Sequence, residues 1–160
     1  MNVYLDSSFV IRQLLGVRPE CPFWGKWEKA FASTLMRTEC YRAANLLRLS
    51  GKIDDAQRAR LGAWIEKVVS SVTQVPVTDA ILRRAAETFP VAVGTLQGIH
   101  LSTLLELQAA HGISCSVATD DAQLLQAATA LGFTEAVAEE PKPEAGKPEE
   151  PAKAAEKPAE

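Results

Sequence analysis

Short apolar runs alternate along this chain with longer stretches in which apolar residues recur at helical spacing. Asn2 to Leu5 is such a run, ending at Asp6, and it predicts a strand followed by a helix through about Leu15 with Ser7 or Ser8 as N-cap. Pro19, Pro22 and Gly25 mark a loop. From about Leu35 to Ser50 the spacing predicts a second helix, with Met36, Cys40, Ala43 and Leu47 on one face. Leu35, Glu39, Arg42 and Leu46 form the adjacent row, which sets Glu39 on the flank of an apolar stripe. Gly51 stops this helix, and Asp54 or Asp55 starts another that directs Leu61, Trp64, Ile65 and Val68 inward.

The run SVTQVPV is β-branched but interrupted by Pro76, which suits an edge strand or a strand end. Thr78 is placed to cap a helix in TDAILRRAAETF. Gly94 and Thr95 introduce LQGIHLSTLLELQAAHG, whose Leu101, Leu104, Leu105 and Gln108 keep helical spacing up to the terminating Gly112. Ile113 to Ala118 reads as another strand, DDAQLLQAATALG as a helix closed by Gly132, and Phe133 to Val137 as a final short strand. Strands alternating with helices across short connections predict an α/β fold with a parallel sheet covered on both faces.

Composition narrows this to one domain. The chain has 160 residues, 47% of them hydrophobic, enough for a single core and too few for two ordinary domains. The expected domain spans 1–138. The remainder, 139–160, holds seven Glu and four Lys among Pro, Ala and a single Gly, and is expected to be a disordered tail because it has no branched or aromatic side chain to bury. Outside that tail, 13 acidic and 13 basic residues balance, so bulk charge gives no argument for nucleic-acid binding. Local pairs such as Arg37/Arg42, Arg58/Arg60 and Arg83/Arg84 are equally explained as solvated helix faces. No apolar run is long enough to span a bilayer, and the first apolar residues do not end in a cleavage-type site. Cys21, Cys40 and Cys115 are odd in number and lack C-x-x-C spacing, which argues against a disulfide framework or a zinc site. A soluble, cytoplasmic protein with no membrane association is expected.

The two clearest strands both run directly into acids, Asp6 in one case and Asp120/Asp121 in the other. In a parallel sheet those junctions open on a shared crevice, and carboxylates gathered there suit a hard divalent cation and phosphate chemistry. Asp6, Glu39 and Asp121 are the best candidates. Each has a structural alternative: Asp6 can cap its helix, one of Asp120 and Asp121 can cap while the other faces the crevice, and Glu39 can pair with Arg42. Asp79, in the first turn after Thr78, reads as a helix-dipole acid.

Taken together, Asp6-Ser7 after the first strand, Glu39 in LMRTECYRAA, the helix start LQGIHLSTLLEL and the segment VATDDAQLLQAATALG resemble a PIN domain of the kind found in VapC toxins. The resemblance covers almost all of Met1 to Val137, and Ile99 to Thr103 and Thr119 to Leu124 carry most of it. It implies a three-layer α/β/α fold and a Mg2+- or Mn2+-dependent endoribonuclease. Asp6, Glu39 and Asp121 would be catalytic, with Asp6 and Asp121 on the metal. Ser7, Gln97 and Thr119 would have supporting roles, and Arg42 would contact RNA. The spacing of the T-x-D element selects Asp121 over Asp120. The resemblance further implies a homodimer and a small antitoxin protein laid over the crevice. His100, inside the IHL element, is expected to pack or hydrogen-bond beneath the site rather than act as a base, and His111 to lie at the surface.

One residue departs from the family pattern. Gln97 stands where an acid is usual, in the first turn of a helix whose dipole would favour one. Weaker metal binding is the expected direction. It also motivates an alternative function, a catalytically impaired PIN-fold module that binds RNA or protein. A phospho-acceptor role for Asp6 is less favoured, since no lysine is evidently placed to complete such a site.

Overall fold

The computed structural model describes residues 1–17 and 21–137. The expected tail and the domain boundary at 138 lie outside the described residues, as does Pro19 of the first loop. The elements are β1 (Asn2–Leu5), α1 (Ser7–Leu14), β2 (Lys29–Ser33), α2 (Leu35–Leu49), α3 (Asp55–Ser71), β3 (Thr73–Val75), α4 (Asp79–Ala85), α5 (Thr95–His111), β4 (Ser116–Ala118) and α6 (Ala122–Ala130). The four strands form one sheet in the order β3-β2-β1-β4, and every pairing is parallel.

Side chains on a strand alternate between faces, and here both faces are covered, so even central strands read as nearly continuous apolar runs. Val3 and Leu5 pack into one core with Phe9, Met36, Cys40, Leu61 and Ile65, which belong to α1, α2 and α3. Tyr4, Phe31 and Val117 pack into a second core with Leu101, Leu104 and Leu124 from α5 and α6. Helix α4 lies against α5. A β-carbon on Gly98 would stand 3.2 Å from the Ala85 carbonyl oxygen, so the missing side chain is what lets α4 approach so closely. The result is the expected three-layer α/β/α arrangement.

Most element ends follow the sequence signals. Asp54 and Gln57 form a reciprocal capping box at α3, Thr78 caps α4, and Gly112 adopts φ 64° after α5. At α1 the N-cap is Asp6, the alternative cap, rather than Ser7 or Ser8. Strand β2 was not predicted at all. Its sequence KAFAS contains no β-branched residue, and with Ala30, Phe31, Ala32 and Ser33 all buried it shows no alternation. Trp64 does not turn inward but is 45% exposed, because the buried stripe of α3 is Leu61, Gly62, Ile65, Val68 and Val69, centred to one side of Trp64. On α2 the buried stripe is Met36, Cys40 and Ala44, which leaves Ala43 and Leu47 half-buried and Leu46 exposed. Beyond α6, the expected final strand reduces to one parallel bridge between Val117 and Glu135. Among the described residues, no helix is long and apolar enough to cross a membrane. All three cysteines are buried and unpaired.

Candidate active site

The register of the two neighbouring strands builds the site. Leu5 of β1 lies opposite Ala118 of β4, so the next residues, Asp6 and Thr119, leave the sheet side by side. The Asp6 amide donates to the Ala118 carbonyl at 3.0 Å, which fixes the exit. Asp6 is buried, and its Oδ2 accepts three hydrogen bonds: from the Ser8 amide at 3.1 Å, from the Ser8 hydroxyl, and from the Thr119 hydroxyl at 2.9 Å. With those donors collected on Oδ2, the other oxygen, Oδ1, faces His100 Nε2 at 3.5 Å.

His100 comes from α5 and is 2% exposed. Its Nε2 also meets Glu39 Oε2 of α2 at 3.2 Å, while Nδ1 meets the Tyr4 hydroxyl at 2.8 Å. Three elements on both sides of the sheet are thereby joined beneath the strand ends. Burial pushes the imidazole pKa down, but the hydrogen bond donated to Glu39 and the charges of Asp6, Glu39 and Asp121 outweigh it and hold the pKa above its ordinary 6.5. Burial, together with the charge of Asp6, raises the Tyr4 phenol well above its usual range. Burial and the charges of Glu39 and Asp6 push the Cys40 thiol up to about 12, which leaves it un-ionised and unreactive.

Asp121 has a different environment. Its Oδ1 caps α6 by accepting from the Gln123 amide at 2.9 Å and the Leu124 amide at 3.1 Å. Its Oδ2 accepts from the Gln97 side-chain amide at 2.8 Å. Thr119 links the two acids, since its hydroxyl donates to Asp6 and accepts from the Asp121 amide at 3.0 Å. Asp120 points elsewhere and pairs with Arg12 at 3.6 Å.

Of the residues singled out from sequence, Asp6 and Glu39 therefore meet, and Thr119 and Gln97 tie Asp121 to their edge. The hydroxyl that reaches Asp6 is that of Ser8, whereas Ser7 lies one position earlier with its carbonyl against Cys40 Sγ. Glu39 pairs with His100 rather than with Arg42, which is exposed on α2. His100 does lie beneath the site as expected, but as a direct partner of both acids. Tyr4 was not anticipated, and Ser8 only as a possible N-cap. The available signals were the strand alternation that sends Tyr4 to the α5 side and the i, i+3 spacing of Gln97 and His100, which puts them on one helix face.

Asp6, Glu39 and His100 each offer one ligand atom, and these atoms lie within 4.8 Å of one another. Adjacent ligands on an ion held at roughly 2.0–2.2 Å stand about 3–4 Å apart, so the 3.2 and 3.5 Å separations around Nε2 suit a shared divalent cation. The donor set fits the metal that a PIN-like fold implies.

No protein-family model matches this sequence, and no curated protein does. Among solved structures, that of Mycobacterium tuberculosis VapC20, described as a sarcin-ricin loop cleaving toxin, superposes with a TM-score of 0.59. The match covers 85% of this chain and 99% of the toxin chain at 14% identity. The chain thus has the PIN-like α/β/α fold seen in that toxin.

Proposed function

We propose that this chain is a divalent-metal-dependent endoribonuclease of the PIN type. The observation that carries the reading is the convergence of Asp6, Glu39 and His100 at the carboxyl ends of parallel strands, with Asp121 at the edge. An acidic crevice of this kind repels a phosphodiester unless a cation is bound, and a bound Mg2+ or Mn2+ supplies both charge neutralisation and a more acidic water. Asp6 and Glu39 hold the cation, and Asp121 lends negative charge beside it. Ser8 and Thr119 donate to Asp6 Oδ2 and so leave Oδ1 as the oxygen that faces His100. Arg42 lies about one turn beyond Glu39 on the exposed side of α2, where it can meet the RNA backbone.

RNA is the substrate class this reading adopts, in keeping with what the toxin of like fold cleaves. A homodimer and a small antitoxin protein that covers the crevice are the partners it implies, with action in the cytoplasm. The test is cleavage of structured and single-stranded RNA by the full chain. Activity should appear with Mn2+ or Mg2+ and vanish in excess chelator; equal cleavage in both conditions overturns the proposal.

A further inference from the structure

We infer that His100 Nε2 is a metal ligand, that it completes the set with Asp6 Oδ1 and Glu39 Oε2, and that the site accordingly favours a nitrogen-accepting transition ion over Mg2+. This rests on the metal-dependent reading above and says which of the chain's atoms do the binding.

Two independent relationships lead there. The first is geometric. His100 Nδ1 is held by the Tyr4 hydroxyl at 2.8 Å, so Nε2 is the ring nitrogen left to face Glu39 Oε2 at 3.2 Å and Asp6 Oδ1 at 3.5 Å. Without metal a proton on Nε2 lies between these oxygens; a bound cation would displace that proton and take the Nε2 lone pair together with the two carboxylate oxygens, all within 4.8 Å of one another. A hydrogen bond that fixes the far nitrogen is also the usual support of a ligating histidine.

The second relationship removes the competing ligand. Asp121 would ordinarily be the next carboxylate in reach, but one of its oxygens is committed to two amides of α6 and the other to Gln97. The amide of Gln97 thus engages the acid that its own replacement of a carboxylate would have left to the metal. Imidazole nitrogen suits Mn2+, Co2+ and Zn2+, whereas Mg2+ prefers oxygen ligands and retains its waters.

The experiment is calorimetric titration of the full chain with Mn2+, Zn2+ and Mg2+, joined to pulsed EPR of the Mn2+ complex to detect a directly bound nitrogen. The expected result is Mn2+ and Zn2+ binding at least about tenfold tighter than Mg2+ and a nitrogen coupling in the Mn2+ spectrum. The chain has two histidines, so His111→Gln, at the exposed end of α5, should keep the coupling. That control assigns the nitrogen even if the buried His100→Gln variant does not fold. Tight Mn2+ binding without nitrogen coupling, or coupling lost in His111→Gln, overturns this inference while leaving a metal-dependent nuclease standing. Failure of every cation to bind overturns both.

Discussion

The side-chain amide of Gln97 donates to Asp121 Oδ2 at 2.8 Å, and this contact changes what the glutamine means. A neutral residue in place of an acid does more than remove a charge: it supplies a donor that an acid cannot, and it holds Asp121 at the edge of the site.

Gln97→Glu replaces that donor with a second carboxylate of nearly the same shape. In chelator the variant should lose about 1.5–3 kcal/mol of stability, the range for a hydrogen bond to a charged group. Added Mg2+ should restore the melting temperature of the variant more than it raises that of wild type, because Asp121 and the new acid become available oxygen ligands. Thermal unfolding with and without the ion checks both statements, and an unchanged melting temperature in chelator contradicts the contact.

Thr119→Val keeps the shape of a buried side chain and deletes the hydroxyl shared between Asp6 and the Asp121 amide. A loss of about 1.5–3 kcal/mol is expected from removing a donor to a buried carboxylate. Denaturant unfolding in chelator measures it. A loss well under 1 kcal/mol, on the order of an ordinary surface change, means that Thr119 does not secure the two strand ends.

The pH dependence of the metal-free protein follows from His100, whose folded pKa is raised above 6.5. The charged imidazolium between Asp6 and Glu39 stabilises the fold fully below its unfolded value, and that contribution is lost as pH rises through the folded value. Urea midpoints in chelator should therefore fall from about pH 6 toward about pH 9, and His100→Gln should flatten the profile. A midpoint that rises over this range contradicts the pairing.

Much of the architecture was legible in the sequence because its signals are local. Caps, terminating glycines and helical stripes placed α2, α3, α4, α5 and α6, and two apolar runs that ended in acids placed β1 and β4. Strand β2 was illegible because it has no β-branched residue and Ala30 to Ser33 are buried on both faces, so neither a β-branched run nor alternation marks it. Trp64 failed because helical spacing identifies a face but not where the buried part of it is centred.

The site was legible to the level of which chain segments meet. Asp6, Glu39 and Asp121 were singled out from strand ends and a helix flank; Asp6 and Glu39 both meet His100 Nε2, and Thr119 links Asp6 to the Asp121 amide. What spacing could not supply was the partner of each oxygen. Ser8 rather than Ser7 reaches Asp6 because the capping geometry of the first turn presents the residue two positions on. His100 joins the acids because α5 crosses beneath β1, a long-range packing relationship that no local pattern contains.

The most direct test of the account is the single-turnover rate of RNA cleavage at saturating Mn2+ for wild type, Asp6→Asn and Asp120→Asn. Loss of a ligand should exceed the roughly 10–100-fold cost of disturbing a ligand's supporting residue, so Asp6→Asn should fall by more than about 100-fold. Asp120, which turns away toward Arg12, should tolerate the same change to within about threefold. An Asp6→Asn protein that cleaves RNA at the wild-type rate would contradict the placement of the active site at this crevice.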